Sequence, residues 1–223
     1  MQRFYQGQLD FFCAIYAVIN ALTALYGINL TQARALFASM LGDLALHPGL
    51  WRTTLENKTD FHWLTAHMLY ACGKGTSYPV RVFRPFASEK EIPESAALLE
   101  NARAWCEEEY SHPANNGNTA NHIWSAFEGW LPETRVQPRA GSARRVAILR
   151  FHRYMRFLDV PIVSHWSVTD HHHAGVIHLR DASKEENALY SLDRQVTVFS
   201  PELVSEDRNV RIEPESVYFI ERG

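Results

Sequence analysis

The pattern of apolar and polar positions divides the chain into two halves of different texture. From Phe11 to Ile28 the sequence is apolar on nearly every side, which predicts a helix buried on nearly every side, capped by Asp10 and stopped at Gly27. A second helix is expected after Asn29-Leu30-Thr31, with Leu36, Phe37, Met40 and Leu41 at helical spacing. His47-Pro48-Gly49 reads as a turn, Phe61 to Ala71 as a helix closed by Gly73-Lys74-Gly75, and Tyr78 to Phe83 as a strand. Glu89 to Tyr110 is acidic with helical periodicity, Pro113 to Thr119 a polar loop, and Asn121 to Trp130 a short amphipathic helix.

Beyond Pro138-Arg139-Ala140-Gly141 the texture changes. Ala143 to Leu158 carries Arg144, Arg145, Arg150, Arg153 and Arg156 and is read as a basic helix with a solvated face. Strands are expected at Val160 to Val168, Ala174 to Leu179, Ala188 to Leu192 and Val217 to Glu221, with a fifth around Val196 to Phe199. The polar stretch Ala182 to Asn187 suggests a hairpin in an antiparallel meander. The expected class is α+β with segregated elements in a single domain of residues 1–223, mainly helical over 1–135 and mainly β over 136–223.

Composition narrows the function classes. A net charge of -3 on 223 residues gives no general attraction to nucleic acid. Three cysteines, Cys13, Cys72 and Cys106, are few and far apart, which argues against a disulfide framework and for a reducing, cytoplasmic compartment. Asn20, Thr23 and Gly27 interrupt the apolar run, and Asp10 offsets Arg3 upstream. Neither a membrane span nor a secretory signal is therefore expected.

Candidate chemistry begins at Gln8-Leu9-Asp10-Phe11-Phe12-Cys13. A thiol attacks as thiolate, and the dipole and unpaired N–H groups of a helix N-terminus favour that form. The backbone N–H of Cys13 and the side-chain amide of Gln8 are candidate donors to an oxyanion. The thiolate needs an imidazole oriented by a third polar group. His173 stands at the mouth of the strand Ala174 to Leu179, and Asp193 ends the run Ala188 to Asp193. A hairpin centred on Ser183 to Asn187 would set residues near 173 opposite residues near 193, permitting a hydrogen bond between adjacent strands.

These residues resemble the papain-like cysteine peptidases, most nearly those that cleave leader peptides during bacteriocin processing. The resemblance is carried by Gln8, Asp10 and Cys13 before a long apolar helix, then by Pro161, His165-Trp166, His173 and Asp193. It implies a papain-like fold with the nucleophile helix packed between a helical lobe and a sheet lobe. It also implies Cys13 as nucleophile, His173 as general base and acid, Asp193 as its orienter and Gln8 as oxyanion donor. The implied activity is hydrolysis of an amide bond in a peptide or protein substrate through a thioester, with no cofactor and no metal. Phytochelatin synthases share that fold and an Asn-Ala-Leu near the helix end, here Asn20-Ala21-Leu22, so transfer to an amine, transglutamination or deamidation are alternatives. Ala14 stands where the peptidases usually carry glycine, which leaves a third reading, an inactive peptide-binding module.

Rival assignments stay open in the same segment. His165 and His172 compete with His173 for the base, and Asp181 with Asp193 for the orienter. His171 and His173 could share a metal with Asp170 or His165, against a reading of His171 and His172 as polar residues at the site entrance. Cys72 and Cys106 are expected to be structural.

Overall fold

The computed structural model describes residues 12–55, 61–73, 77–86, 120–154, 161–180 and 189–223. Gln8, Asp10, Cys106, Asp181 and the expected acidic helix Glu89 to Tyr110 lie outside them. Five helices are described: α1 (Cys13–Tyr26), α2 (Leu30–Ala45), α3 (Pro48–Leu55), α4 (Phe61–Gly73) and α5 (Ala120–Trp130). The strands are β1 (Val80–Phe83), β2 (Arg145–Tyr154), β3 (Pro161–His173), β4 (Val176–Leu179), β5 (Ser191–Asp193), β6 (Thr197–Val198), β7 (Val210–Ile212) and β8 (Tyr218–Arg222).

The strands form one sheet in the order β1-β8-β2-β3-β4-β5, and β7 joins β2 beyond the end of β8 while pairing in parallel with β6. All other pairings between these strands are antiparallel. The α+β class is thus observed. Helices cover both faces. Val146, Ile148, Trp166, Val168, Tyr218 and Ile220 join the apolar side chains of α1, α2 and α4 on one face. Ala147, Leu149, Phe151, Ile177, Leu179 and Phe219 meet Trp124, Phe127 and Trp130 of α5 on the other.

Helix α1 is central, as its uniformly apolar sequence requires. Only Tyr16 and Tyr26 among its residues escape burial. Its first turn is stacked by Phe12 on Trp51 and edge-on to Phe37, with ring centroids 6.1 Å apart in each case. Its last carbonyls are taken up by the loop that leads into β2. Gly141 N–H donates to Thr23 and Ala24 at 3.1 and 2.9 Å, and Ala143 N–H to Ala24 at 3.2 Å. That loop approaches backbone to backbone, since a Cβ on Gly141 would lie 3.0 Å from the nitrogen of Gly27. The C-terminal end of α1 is therefore tied to the start of β2, and the helix carries Cys13 away from that tie while packing chiefly along β3. No helix among the described residues is long and apolar enough to cross a membrane.

Two expectations are corrected. Residues 145–154 form the central strand β2, not a basic helix. Both faces of the strand are buried, so its apolar run does not alternate, and only its arginines give it an amphipathic look. His47-Pro48-Gly49 is not a free turn but the entry to α3, with Pro48 at the first helical position and Trp51 N–H donating to His47 at 2.9 Å.

Candidate functional site

Cys13 is the first residue of α1, preceded by Phe12, whose side chain offers no cap. The first intrahelical bond is Tyr16 N–H to Phe12 at 3.0 Å, so the N–H groups of Cys13, Ala14 and Ile15 have no acceptor within the helix. The thiol itself is buried, with 8 % of the residue exposed. Gln8, expected as its oxyanion partner, lies outside the described residues. No hydrogen bond joins Cys13 to a described imidazole.

Strand β3 passes through all three consecutive histidines before turning, so His173 ends β3 instead of opening the next strand. The turn is Ala174-Gly175, with φ of 49° and 77°, a two-residue hairpin. His173 faces Val176, and Val176 faces Asp193. Strand β4 therefore lies between His173 and Asp193, about 9–10 Å of strand spacing, and the expected hydrogen bond on adjacent strands is not formed. His173 Nε2 accepts instead from Arg135 Nε at 3.0 Å, while Nδ1 stands 3.9 Å from Glu133. Asp193 accepts from the backbone N–H of Gln195 at 2.8 Å, which shapes the turn after β5.

The structure brings together a different group. Thr169 pairs with Leu179 but His171 pairs with His178, so Asp170 is one residue extra, a β-bulge. Leu179 and Ile177 point to the α5 face. His178, between them, points to the α1 face, and its cross-strand partner His171 does the same. The two rings stack 4.7 Å apart and 6° from parallel. Asp170, fully buried, accepts from His171 Nδ1 at 2.8 Å and from Arg180 Nε at 2.6 Å, with Arg180 Nη2 closing a second bond. That second nitrogen also donates to the Pro138 carbonyl at 2.8 Å. One carboxylate thus fixes His171 in the tautomer whose Nε2 is left as acceptor, while a buried guanidinium fixes the carboxylate.

His178 shows the electrostatic consequence. Its pKa is lowered from the ordinary histidine value, first by burial and then by repulsion from His171 and His173. The sequence offers Asp170 only as a metal ligand, and His171 as a metal ligand or a polar residue at the site entrance. Among the described residues no group of side chains is arranged to hold a metal. The signal that could have found the dyad is Asp170-His171 followed, one hairpin on, by the cation Arg180, but the bulge that turns adjacent residues to one side has no signature in sequence. His165, by contrast, pairs with Phe151 and lies against its ring on the face turned from α1.

Cys72 lines a cavity of about 300 Å³ between α2 and α4, with Met40, Asp43, Met68 and Tyr78. Burial pushes its thiol up to about 12, which keeps it protonated and unreactive, as a structural cysteine should be.

No known protein family, curated protein or solved structure matches the chain. The fold and the site therefore carry the functional argument alone.

Proposed function

We propose that the protein is a papain-like cysteine amide hydrolase, a peptidase working through a thioester on Cys13. One observation carries the reading. The helix that begins at Cys13 packs on the face of β3 that carries His171, an imidazole held through Nδ1 by a buried carboxylate. This is the division of labour that nucleophilic acyl transfer requires: a nucleophile at a helix N-terminus, a base with one nitrogen open, and an orienting acid.

In this mechanism the thiolate adds to the amide carbonyl, and the first-turn N–H groups, which have no acceptor within the helix, receive the oxyanion. His171 Nε2 holds the thiol proton and passes it to the leaving amine. Water then adds to the thioester with His171 as base and releases the acid. Asp170 is a positioning residue. His171 replaces His173 as base because Arg135 already occupies the Nε2 lone pair of His173. Asp170 replaces Asp193 because Asp193 stands a full strand further away.

Site-resolved alkylation tests the proposal. Limiting iodoacetamide at pH 6 is expected to label Cys13 ahead of Cys72 and Cys106, and His171→Ala to abolish that preference while His173→Ala retains it. Loss in His173→Ala alone would return the base to His173. Equal slow labelling of all cysteines in the wild-type protein would end the proposal.

A further inference from the structure

A second polar group stands on the α1 face, at the other end of β2. Along β2, Val146 and Ile148 face α1, and by alternation Arg150 and His152 do also. Arg211 is the cross-strand partner of His152 on β7. Glu213 follows Ile212, which points to the α5 face. Arg150, His152 and Arg211 converge on the single carboxylate of Glu213, at 3.4, 3.3 and 3.5 Å.

All three contacts are longer than the ~2.7–2.9 Å of a well-made charge-assisted hydrogen bond. His152 is 5 % exposed, and its Nε2 lacks hydrogen-bond alignment with the nearby Glu213 oxygen. Arg211 Nε is likewise buried without an acceptor. Two permanent cations and an imidazole thus share the Glu213 carboxylate, which hydrogen-bonds Arg150 Nη1 and Arg211 Nη2 but leaves Arg211 Nε and His152 Nε2 without a hydrogen bond among the described residues. The imidazole is held from the other side by the exposed Ser164, whose Oγ lies 2.8 Å from Nδ1. A buried donor without an acceptor, here Arg211 Nε, is costly, and a second carboxylate would use it.

We infer that Arg150, His152 and Arg211 form a carboxylate-binding subsite, in which Glu213 is a resident anion, and which takes an acidic group of a peptide ligand. The carboxylate is the ligand class because the cluster is already built around one, and planar guanidinium groups read that shape two bonds at a time. That the ligand is a peptide rests on the proposed hydrolase function. The subsite itself does not.

The test uses full-length Cys13→Ala protein, so that no peptide is consumed, and reads the Nε–Hε resonances of Arg150 and Arg211 by NMR. Three hexapeptides separate the sources of the carboxylate: one with a single Glu and an amidated C-terminus, one with Gln and a free C-terminus, and one with Gln and an amide. Saturable shifts from either acidic peptide but not from the neutral one support the subsite and say which carboxylate it takes. Arg150→Gln with Arg211→Gln is expected to weaken that binding about tenfold or more. Glu213→Gln is expected to tighten it, the opposite of what loss of a purely structural ion pair would do. No shift with any peptide at millimolar concentration, equal shifts with all three, or weaker binding in Glu213→Gln would overturn the inference. Cys13 alkylation is scored separately on the wild-type protein, so either reading can fall without the other.

Discussion

Asp170 and His171 are neighbours in sequence whose side chains would point to opposite faces of a regular strand, yet Oδ1 of one accepts from Nδ1 of the other at 2.8 Å. The β-bulge makes this contact, and Arg180 makes it affordable by pairing the carboxylate in a place where water cannot reach. Asp170 is 0 % and Arg180 1 % exposed.

That burial sets the first prediction. Arg180→Met should destabilise the protein by about 3–5 kcal/mol, because the carboxylate is left charged and only His171 remains to pair it. The double variant Asp170→Leu with Arg180→Met should recover most of the loss, since a buried ion pair is often replaceable by apolar residues of similar volume. Urea midpoints of the three proteins check it. A double variant no more stable than Arg180→Met would mean the pair is not the source of the loss.

The hairpin after His173 gives a second prediction. Ala174 adopts φ of 49°, a left-handed conformation that costs an L-residue with a Cβ roughly 1–2 kcal/mol and that Asn tolerates better. Followed by Gly175, Asn in this place completes the preferred two-residue turn. Ala174→Asn is expected to raise stability by about 0.5–1 kcal/mol, and Ala174→Val to lower it by at least as much. Paired thermal melts decide the sign.

How far the site was legible in the sequence follows from the same turn. The apolar run of α1, its stop at Gly27 and the place of Cys13 at its start all follow from local pattern, and the described helix matches them. The stretch containing His173 and Asp193 was also recognisable as strand, but pairing depends on where the chain reverses. Ala174-Gly175 is not a strong turn dipeptide, so the sequence pattern runs it into the following strand and places His173 one strand too far along. A bulge moves the side-chain alternation by one residue, so Asp170 and His171 could not be assigned to a common face. Arg145 explains the misread helix in a similar way. Its guanidinium lies over the Trp130 ring at 4.6 Å and pairs with Glu221 at 3.0 Å, tertiary contacts that let a charged residue begin a central strand.

Thiol chemistry offers a third prediction. With the Cys72 thiol pushed up to about 12 by burial, its thiolate is scarce across the neutral range. Alkylation of Cys72 in the folded protein should therefore stay slow from pH 6 to 9 and become fast only in denaturant. Mass-spectrometric mapping against time measures it. Rapid labelling of Cys72 under native conditions would show that the cavity between α2 and α4 opens.

The lowered pKa of His178 makes stability depend on pH. Burial and the neighbouring His171 and His173 lower the pKa of His178 in the fold below its value of 6.5 in the unfolded chain. The unfolded state then binds more protons through the window below 6.5, so this contribution to stability is present above that pH and is lost as pH falls through the folded pKa. The groups facing the ring on its own strand pair are His171, His173 and Asp170, and Asp170 alone favours the charged form. His178→Gln should flatten the acid side of the curve, because an amide takes up no proton in this range. Urea midpoints at pH 7.5, 6.5 and 5.5 for wild type and variant give the comparison. A variant that loses as much stability as the wild type between pH 7.5 and 5.5 would place the acid sensitivity elsewhere in the chain.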